Sequence, residues 1–111
     1  MDELREIEFC GRSVEVIRSF PVVARREIGY QLDRVQRGLD PIDWKPMPAI
    51  GKGVREIRVQ SEGQYRVIYL VKFRNRVHVL HAFRKKERKT RKQDLEAARS
   101  ALKDLLGRYG K

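Results

Sequence analysis

The chain has 111 residues, of which 41% are hydrophobic, so it is long enough for one packed core and too short for two independent ones. Its 26 lysines and arginines against 15 aspartates and glutamates give a net charge of +11, which favours a polyanionic partner over small acidic metabolites. The single cysteine, Cys10, excludes a disulfide framework and a cysteine-rich zinc site, and no segment has the pattern of a signal peptide or a membrane span. Residues 1–111 are therefore expected to form a single cytoplasmic domain.

The N-terminal half is predicted to contain one strand and two helices. Residues 5–10 alternate apolar and charged side chains, which is the pattern of a half-buried strand. Ser13 is predicted to cap a short helix, and Pro21 to open a longer one that ends near Gly38. The apolar stripe of the longer helix, at helical spacing, consists of Ile28, Leu32, Val35 and Leu39.

A connection and three strands are predicted in the middle of the chain. Residues 40–53 hold the three remaining prolines and two glycines, so we expect an irregular connection there. Trp44 within it is more simply explained as a lid over the core than as a platform for stacking a base. The strands, rich in valine, isoleucine and tyrosine and joined by short turns, are predicted over residues 54–60, 64–73 and 76–83.

The C-terminal segment has the pattern of an amphipathic helix. Thr90 and Gln93 have capping-box spacing, and Gly107 marks the expected end. The apolar side of this helix is predicted to consist of Leu95, Ala98, Leu102 and Leu105. The element order β-α-α-β-β-β-α predicts an α+β fold, with helices packed on a small, mainly antiparallel sheet.

The charge is concentrated in the C-terminal half. Residues 1–50 carry 8 basic and 9 acidic side chains, a net charge of −1, whereas residues 51–111 carry 18 and 6, a net charge of +12. The densest run, residues 84–92, has seven cations and one anion. Such a run is often a solvated tail, but here a strand pattern precedes it and a helix pattern follows, which favours an ordered partner surface.

Conventional catalytic and metal-binding motifs are missing from the sequence. There is no glycine-rich phosphate loop, no HExxH motif and no cysteine pair. His78 and His81 are three residues apart on a predicted strand, so we expect them on opposite faces, where they cannot share a metal. We expect neither a metal nor a cofactor.

Five cations on or next to the predicted strands have no simple structural role, and they define a candidate cationic cleft. They are Arg58, Arg66, Arg84, Lys85 and Lys86. Arginine is suited to clamping a phosphate, and like charges lower the pKa of a lysine, so Lys85 or Lys86 is a candidate general acid or base for RNA cleavage by its own 2′-hydroxyl. The alternative is that all five only contact the phosphate backbone.

Three segments together resemble the RelE/ParE superfamily of bacterial toxins, most closely its HigB-like, phage-derived host-inhibition branch. The segments are GKGVREIR at residues 51–58, QYRVIY at 64–69, and VLHAFRKK at 79–86 with the following KT and DLEAA. None of them is decisive alone, and the likeness lies in their joint order and spacing, from Ile7 to about Leu105. The resemblance implies a RelE-like fold.

The resemblance also implies a function and a set of site residues. RelE-like and HigB-like members are toxins that cleave mRNA in the ribosomal A site without a metal. By position, Arg66 matches the arginine used on the scissile phosphate, Arg58 a basic residue of the same cluster, and Lys86, with Lys85 beside it, the residue that assists the leaving group. Further RNA contacts are assigned to Arg55, Phe83, Arg84, Arg88, Lys89, Arg91 and Lys92.

Two departures from the family pattern leave the general base open. Glu56 stands where RelE has a second lysine, and no tyrosine follows the basic run to stack on a base, so Phe83 or a histidine is a candidate substitute. A ParE-like inhibitor of DNA gyrase and a non-catalytic nucleic-acid-binding protein are the competing interpretations. The family also implies a helix-turn-helix, HigA-like antitoxin, which we expect on the helices of residues 13–38 rather than over the cleft.

Overall fold

The computed structural model describes residues 4–110, and the ends of the predicted domain, residues 1–3 and 111, lie outside this range. The elements are β1 (Ile7–Phe9), α1 (Ser13–Arg18), α2 (Val22–Gln36), β2 (Trp44–Pro46), β3 (Arg55–Gln60), β4 (Gln64–Val71), β5 (Val77–Lys85) and α3 (Lys92–Tyr109). The five strands form one sheet in the order β1-β5-β4-β3-β2, in which β1 runs parallel to β5 and the other neighbours are antiparallel. The predicted α+β fold on a mainly antiparallel sheet is confirmed.

Helices cover both faces of the sheet. Successive residues of a strand point to opposite faces, so each strand contributes side chains to both helical layers. On β4, Tyr65, Val67 and Tyr69 pack with the helices α1 and α2, whereas Ile68 and Leu70 pack with α3. The central position of β4 in the sheet explains why the strand is buried along most of its length on both sides. Among the described residues, no helix has the length and hydropathy that a membrane crossing requires.

The end of α2 is set by a glycine in the left-handed region. Gly38 has φ +84°, and the Leu39 amide donates to the Arg34 carbonyl at 2.9 Å, which closes the last turn. Pro21 is the residue before the helix and Leu39 lies outside it, half exposed. The predicted apolar stripe was therefore wrong at Leu39, since the chain leaves the helix axis before this residue.

The sequence predicts an irregular connection over residues 40–53, but part of this segment forms a strand. Trp44–Pro46 forms the edge strand β2, antiparallel to β3 with Trp44 opposite Ile57. A proline is tolerated at a sheet edge because its missing N–H removes no central hydrogen bond. This strand widens the sheet beyond the four strands expected from the sequence.

A β-bulge in β5 places the two histidines differently from what the sequence predicts. The register between β4 and β5 shifts between Ile68 and Tyr69, so β5 accommodates one extra residue, Leu80. His78 and His81 therefore lie on the same face of the sheet, toward α3, and not on opposite faces. Strict alternation fails here because the bulge adds one residue between them.

Several predicted boundaries differ from the structure. Strand β4 ends at Val71, because the chain turns through Phe73–Asn75, and β5 continues past its expected end to Lys85. The capping box at Thr90 and Gln93 was wrong: Arg91 is the N-cap, without a side-chain capping bond. The last helix also continues past Gly107 to Tyr109, since a glycine near a helix end permits a stop but does not enforce one.

Candidate active site

Cations from three neighbouring strands meet on the face of the sheet that carries α3. Arg58 of β3 lies directly opposite Arg66 of β4. Arg66 lies opposite Phe83 of β5, and Lys85 comes two residues later on the same face. We call Arg58, Arg66 and Lys85 the cationic cleft. The pairing of β3, β4 and β5 thus brings together three of the four predicted catalytic residues.

Helix α3 leaves this end of the sheet uncovered. Its first turn is anchored where the His81 ring bonds Asp94, with 2.9 Å between Nε2 and Oδ1. The strands continue past His81 to the cationic cleft. The Arg58 side chain is 35% exposed and that of Arg66 is 9% exposed, so Arg58 lies at the rim and Arg66 at the floor.

The negative charge of the fully buried Glu56 compensates the positive charges of the two facing arginines. Like charges directly opposite each other on neighbouring strands destabilise a sheet. One carboxylate oxygen of Glu56, Oε1, lies 3.5 Å from Arg58 Nε and 3.6 Å from Arg66 Nε, and the residue is 0% exposed. Its other oxygen, Oε2, and Arg66 Nε have no hydrogen-bond partner among residues 4–110. The cluster therefore keeps unused hydrogen-bonding capacity, which is characteristic of functional sites.

Arg66 is held in one orientation by its own strand. Its guanidinium donates to the Gln64 side chain at 2.9 Å and to the Tyr65 carbonyl at 3.1 Å. Burial, together with the charge of Arg58, lowers the pKa of Arg66, and Glu56 opposes the shift. An arginine remains protonated at neutral pH even so, and the result is a fixed positive charge in a poorly solvated position.

Lys85 differs from Lys86 in its environment. Burial is the largest cause that lowers the pKa of Lys85, followed by the positive charge of Arg66, with smaller effects of Lys45 and Arg58. Lys86 follows the end of β5 and is exposed. Lys85 therefore has the environment that suits a proton-transferring lysine.

Several of the predicted RNA contacts lie away from the cationic cleft. Arg55 is on the α2 side of the sheet, bonded to Asp40 at 2.8 Å and stacked 4.0 Å from the Trp44 ring centre. Arg84 is exposed on the same side, beside Tyr65. Strand alternation separates both from Arg66, so the structure does not bring them into the cluster.

Phe83 lies on the cleft side but is buried. It is 6% exposed, and its ring stacks on His81 with 5.6 Å between ring centres. This packing leaves little of the ring free to stack on a base.

The remaining predicted contacts lie on the segment that joins β5 to α3. Arg88 and Lys89 are exposed and make no ion pair with any residue in 4–110. Arg91 lies 3.4 Å from Asp94, and Lys92 lies 3.8 Å from Glu96. The segment thus extends the positive charge from the end of β5 to the first turn of α3, with its two central cations uncompensated.

Sequence reasoning missed Lys45 and the pairing of His81 with Asp94. Lys45 lies on β2 opposite Glu56, in a proline-rich stretch too short for a strand pattern. Asp94 belongs to the DLEAA segment that contributes to the family resemblance, but no spacing pattern in the sequence predicts its contact with His81. Within residues 4–110, no three histidine, cysteine or acidic side chains are grouped as metal ligands.

A large groove in the described structure lies elsewhere. It has a volume of about 1160 Å³ and is bounded by the start of α1 and by α3, with Cys10, Ser13 and Ala101 among its lining residues. None of the three cleft residues contributes to it. The convergence of charge, and not cavity size, identifies the candidate active site.

Comparisons with known proteins agree with this architecture. The family described as phage-derived, Gp49-like proteins matches residues 15–103. A free-state structure of the Escherichia coli toxin RelE, with two arginines replaced by alanine, superposes with a TM-score of 0.65 at 20% identity, over 93% of this chain and 99% of that one. A search of curated proteins finds no match. The RelE-like fold predicted from the sequence is confirmed.

Proposed function

The chain belongs to the family of phage-derived, Gp49-like proteins, and from this premise we propose that it is the toxin of a type II toxin–antitoxin system, an endoribonuclease that cleaves mRNA on the ribosome without a metal. The observation that carries the proposal is the cationic cleft, with Arg58 and Arg66 facing each other across two strands and a partly buried lysine beside them. A module that only binds nucleic acid has no need of two arginines and a carboxylate within the sheet.

Each cleft residue is assigned one role in the proposed reaction according to its position. Cleavage by the 2′-hydroxyl requires removal of its proton, stabilisation of charge on the phosphorus centre, and protonation of the departing 5′-oxygen. Arg58 and Arg66 are assigned to the phosphate, since guanidinium groups match its geometry and stay charged. Lys85 is assigned to proton transfer, with Lys86 as the alternative.

The same proposal includes the partner and the compartment. A toxin that cuts cellular mRNA requires a cognate antitoxin, which we propose is a small helix-turn-helix protein of the HigA-like kind. The ribosome supplies the mRNA, so the protein acts in the cytoplasm. Residues 1–111 are proposed to act as a single toxin domain.

The proposal is tested by inducing expression and mapping the 5′ ends of cellular mRNA with and without ongoing translation. We expect growth arrest, with new 5′ ends that appear only during translation. Arg66→Ala should abolish both effects, and Arg55→Ala, on the other side of the sheet, serves as the matched control. Intact mRNA with a DNA-damage response would instead indicate a ParE-like gyrase inhibitor, and cleavage independent of translation would contradict the ribosomal step.

A further inference from the structure

The first turn of α3 is attached to the sheet through a carboxylate. Lys92 and Gln93 are exposed, and the apolar packing of the helix begins at Leu95, the residue after Asp94. The Asp94 side chain is 8% exposed, and its Oδ1 lies 2.9 Å from Nε2 of His81 on β5. We call His81 and Asp94 the α3 clasp. Because the first turn is polar, this hydrogen bond, and not apolar packing, sets where the helix begins relative to β5.

The β5–α3 loop, residues 86–91, depends on the elements at its two ends. Residues 86–90 make no backbone hydrogen bond with any other part of the described chain. The loop begins after Lys85, the last residue of β5, and ends at Arg91, whose Nε lies 3.4 Å from Asp94 Oδ2. A segment without hydrogen bonds of its own opens easily unless its ends are fixed. The α3 clasp therefore restricts the loop from its C-terminal side.

The β5–α3 loop carries cations that no carboxylate compensates. Arg88 and Lys89 are exposed and make no ion pair within residues 4–110. When a flexible cationic loop binds RNA, the ordering of its backbone and its long side chains opposes binding. A loop that is already ordered in the free protein avoids much of this loss. The α3 clasp can therefore raise the affinity for RNA without contacting it.

The attachment of α3 to the sheet does not depend on the clasp. Ala98 and Leu105 are fully buried beneath the helix, and at its far end Tyr109 stacks on Phe73 with 4.9 Å between ring centres. These contacts hold the helix along the rest of its length. A hydrogen bond is directional, so the clasp adds a defined position of the first turn, which is where the β5–α3 loop ends.

We propose that His81 and Asp94 are positioning residues for RNA, and that the α3 clasp holds the β5–α3 loop in the conformation in which Arg88 and Lys89 contact phosphates beside the cationic cleft. The identity of the RNA and its cleavage rest on the proposed function, whereas the clasp and the loop rest on the contacts above. Neither clasp residue is assigned a contact with RNA, and the His81 ring already stacks on the buried Phe83.

The first test measures the affinity of the full chain for a fluorescent 2′-O-methyl oligouridylate, an RNA analogue whose methylated 2′-oxygen cannot attack the phosphate. His81→Leu should weaken binding about fivefold or more, because the loop must then become ordered on binding. The matched control is His78→Leu, which removes a histidine–carboxylate bond of 2.9 Å, to Glu8, from the same strand and the same face. It should leave the affinity unchanged.

Further variants separate positioning from a general effect on the fold. Asp94→Ser also breaks the clasp, and serine is compatible with a helix start, so the variant should weaken binding as His81→Leu does. His81→Gln should restore most of the affinity, because the glutamine amide can donate to Asp94 in place of the ring. In a chain that already carries Arg88→Gln and Lys89→Gln, neither clasp variant should weaken binding further, since the clasp acts through these cations.

Trypsin measures the order of the loop in the absence of RNA, because it cleaves after lysine and arginine in segments that open. The loop contains such sites at Lys86, Arg88, Lys89 and Arg91. His81→Leu should be cut within the loop about fivefold faster than the wild type or more, and His78→Leu at the wild-type rate.

Several results would overturn the proposal. They are wild-type affinity or wild-type loop cleavage in the clasp variants, an equal loss of affinity in His78→Leu, a loss that persists without Arg88 and Lys89, and no binding of the oligonucleotide to the wild type.

Expression and mRNA mapping separate this proposal from the proposed function. If the clasp variants lose affinity as expected but expression of the wild type leaves cellular mRNA intact, the proposed function fails and the role of the clasp stands. If mRNA is cut and the clasp variants bind and cut as the wild type does, the role of the clasp fails and the proposed function stands.

Discussion

The residue that holds the cationic cleft together is Glu56. Arg58 and Arg66 lie directly opposite each other, and the Glu56 carboxylate that lies near both of them is fully buried. Removing one member of a buried charged cluster leaves the other charges uncompensated, which costs more than the intact cluster contributes. The stability of the fold and the geometry of the cleft are therefore coupled at this position.

Glu56→Gln should lower the free energy of unfolding by about 2 kcal/mol or more. The effect stays below the roughly 3–5 kcal/mol of a fully buried pair, because Arg58 is partly exposed. Urea denaturation measures it. The control is Asp40→Asn, which removes an exposed pair with Arg55 and should cost less than about 1 kcal/mol. Equal losses in the two variants would show that Glu56 does not compensate the arginines.

Lys85→Arg should slow mRNA cleavage by a factor of about 10² to 10⁴, because arginine keeps the charge but cannot exchange a proton near neutral pH. A lowered lysine pKa increases the neutral fraction at a given pH. If Lys85 acts as a base, the wild-type rate should rise with pH and level off below the ordinary lysine pKa of 10.5. The pH–rate profile of the Lys85→Arg variant should lose this rise.

The same substitution at Lys86 separates the two candidates. Lys86→Arg should retain the wild-type rate and pH profile, since this exposed residue then serves only as a phosphate contact. A slow Lys86→Arg variant beside an active Lys85→Arg variant would move the proton-transfer role to Lys86, where the resemblance to the toxin family alone had placed it.

At the scale of elements, α2 contains two glycines with opposite roles. Gly38 lies beyond the end of the helix at φ +84°, where a side chain is strained, whereas Gly29 lies in regular helix with open space around it. The first glycine serves the fold, and the second is not needed by it. The same substitution made at both sites therefore tests which glycine the fold requires.

Gly38→Ala should lower the free energy of unfolding by about 1 kcal/mol, because alanine must adopt the left-handed conformation that closes α2. Gly29→Ala should raise it by about 1 kcal/mol through helix propensity. The midpoints of urea unfolding report both signs. A stabilising Gly38→Ala would mean that the chain ends α2 in another way when the glycine is absent.

At the scale of the whole molecule, the charge is divided between two surfaces. The cleft and the run of cations at residues 84–92, here called the basic segment, lie at one end of the sheet on the α3 side. The half of the chain that forms α1 and α2 is close to neutral. Association with a polyanion releases counterions in proportion to the phosphates contacted. The basic segment is therefore expected to dominate the salt dependence of RNA or ribosome binding.

Replacing Arg88 and Lys89 by glutamine should reduce the slope of log affinity against log salt concentration by about 1.4 to 1.8, at roughly 0.7 to 0.9 per phosphate contact. Arg91 and Lys92 are already near Asp94 and Glu96, so the same change there should reduce the slope less. Arg25 and Arg26, on the α2 side, serve as the control pair and should leave it unaltered. Identical slopes in all three double variants would show that the basic segment does not contact RNA.

The sequence by itself determined the class of fold, the C-terminal location of the charge and a set of candidate cations that includes the three residues of the cleft. The composition of residues 64–71, rich in valine, isoleucine and tyrosine, predicted strand β4, and the strand arginines Arg58 and Arg66 had no simple structural role. These properties follow from periodicity and composition, which are local. The resemblance added the joint order of these segments, and it implied the chemistry proposed above, cleavage of an RNA phosphodiester.

Only the tertiary structure decided which of those cations share a surface. Register between strands depends on long-range pairing, and it placed Arg58 opposite Arg66 while it turned Arg55 and Arg84 to the other side. One extra residue in β5 brought His78 and His81 to the same face. Because the side-chain direction alternates at every residue, a single bulge reverses a face, and no local pattern in the sequence marks where the partner strand accommodates it.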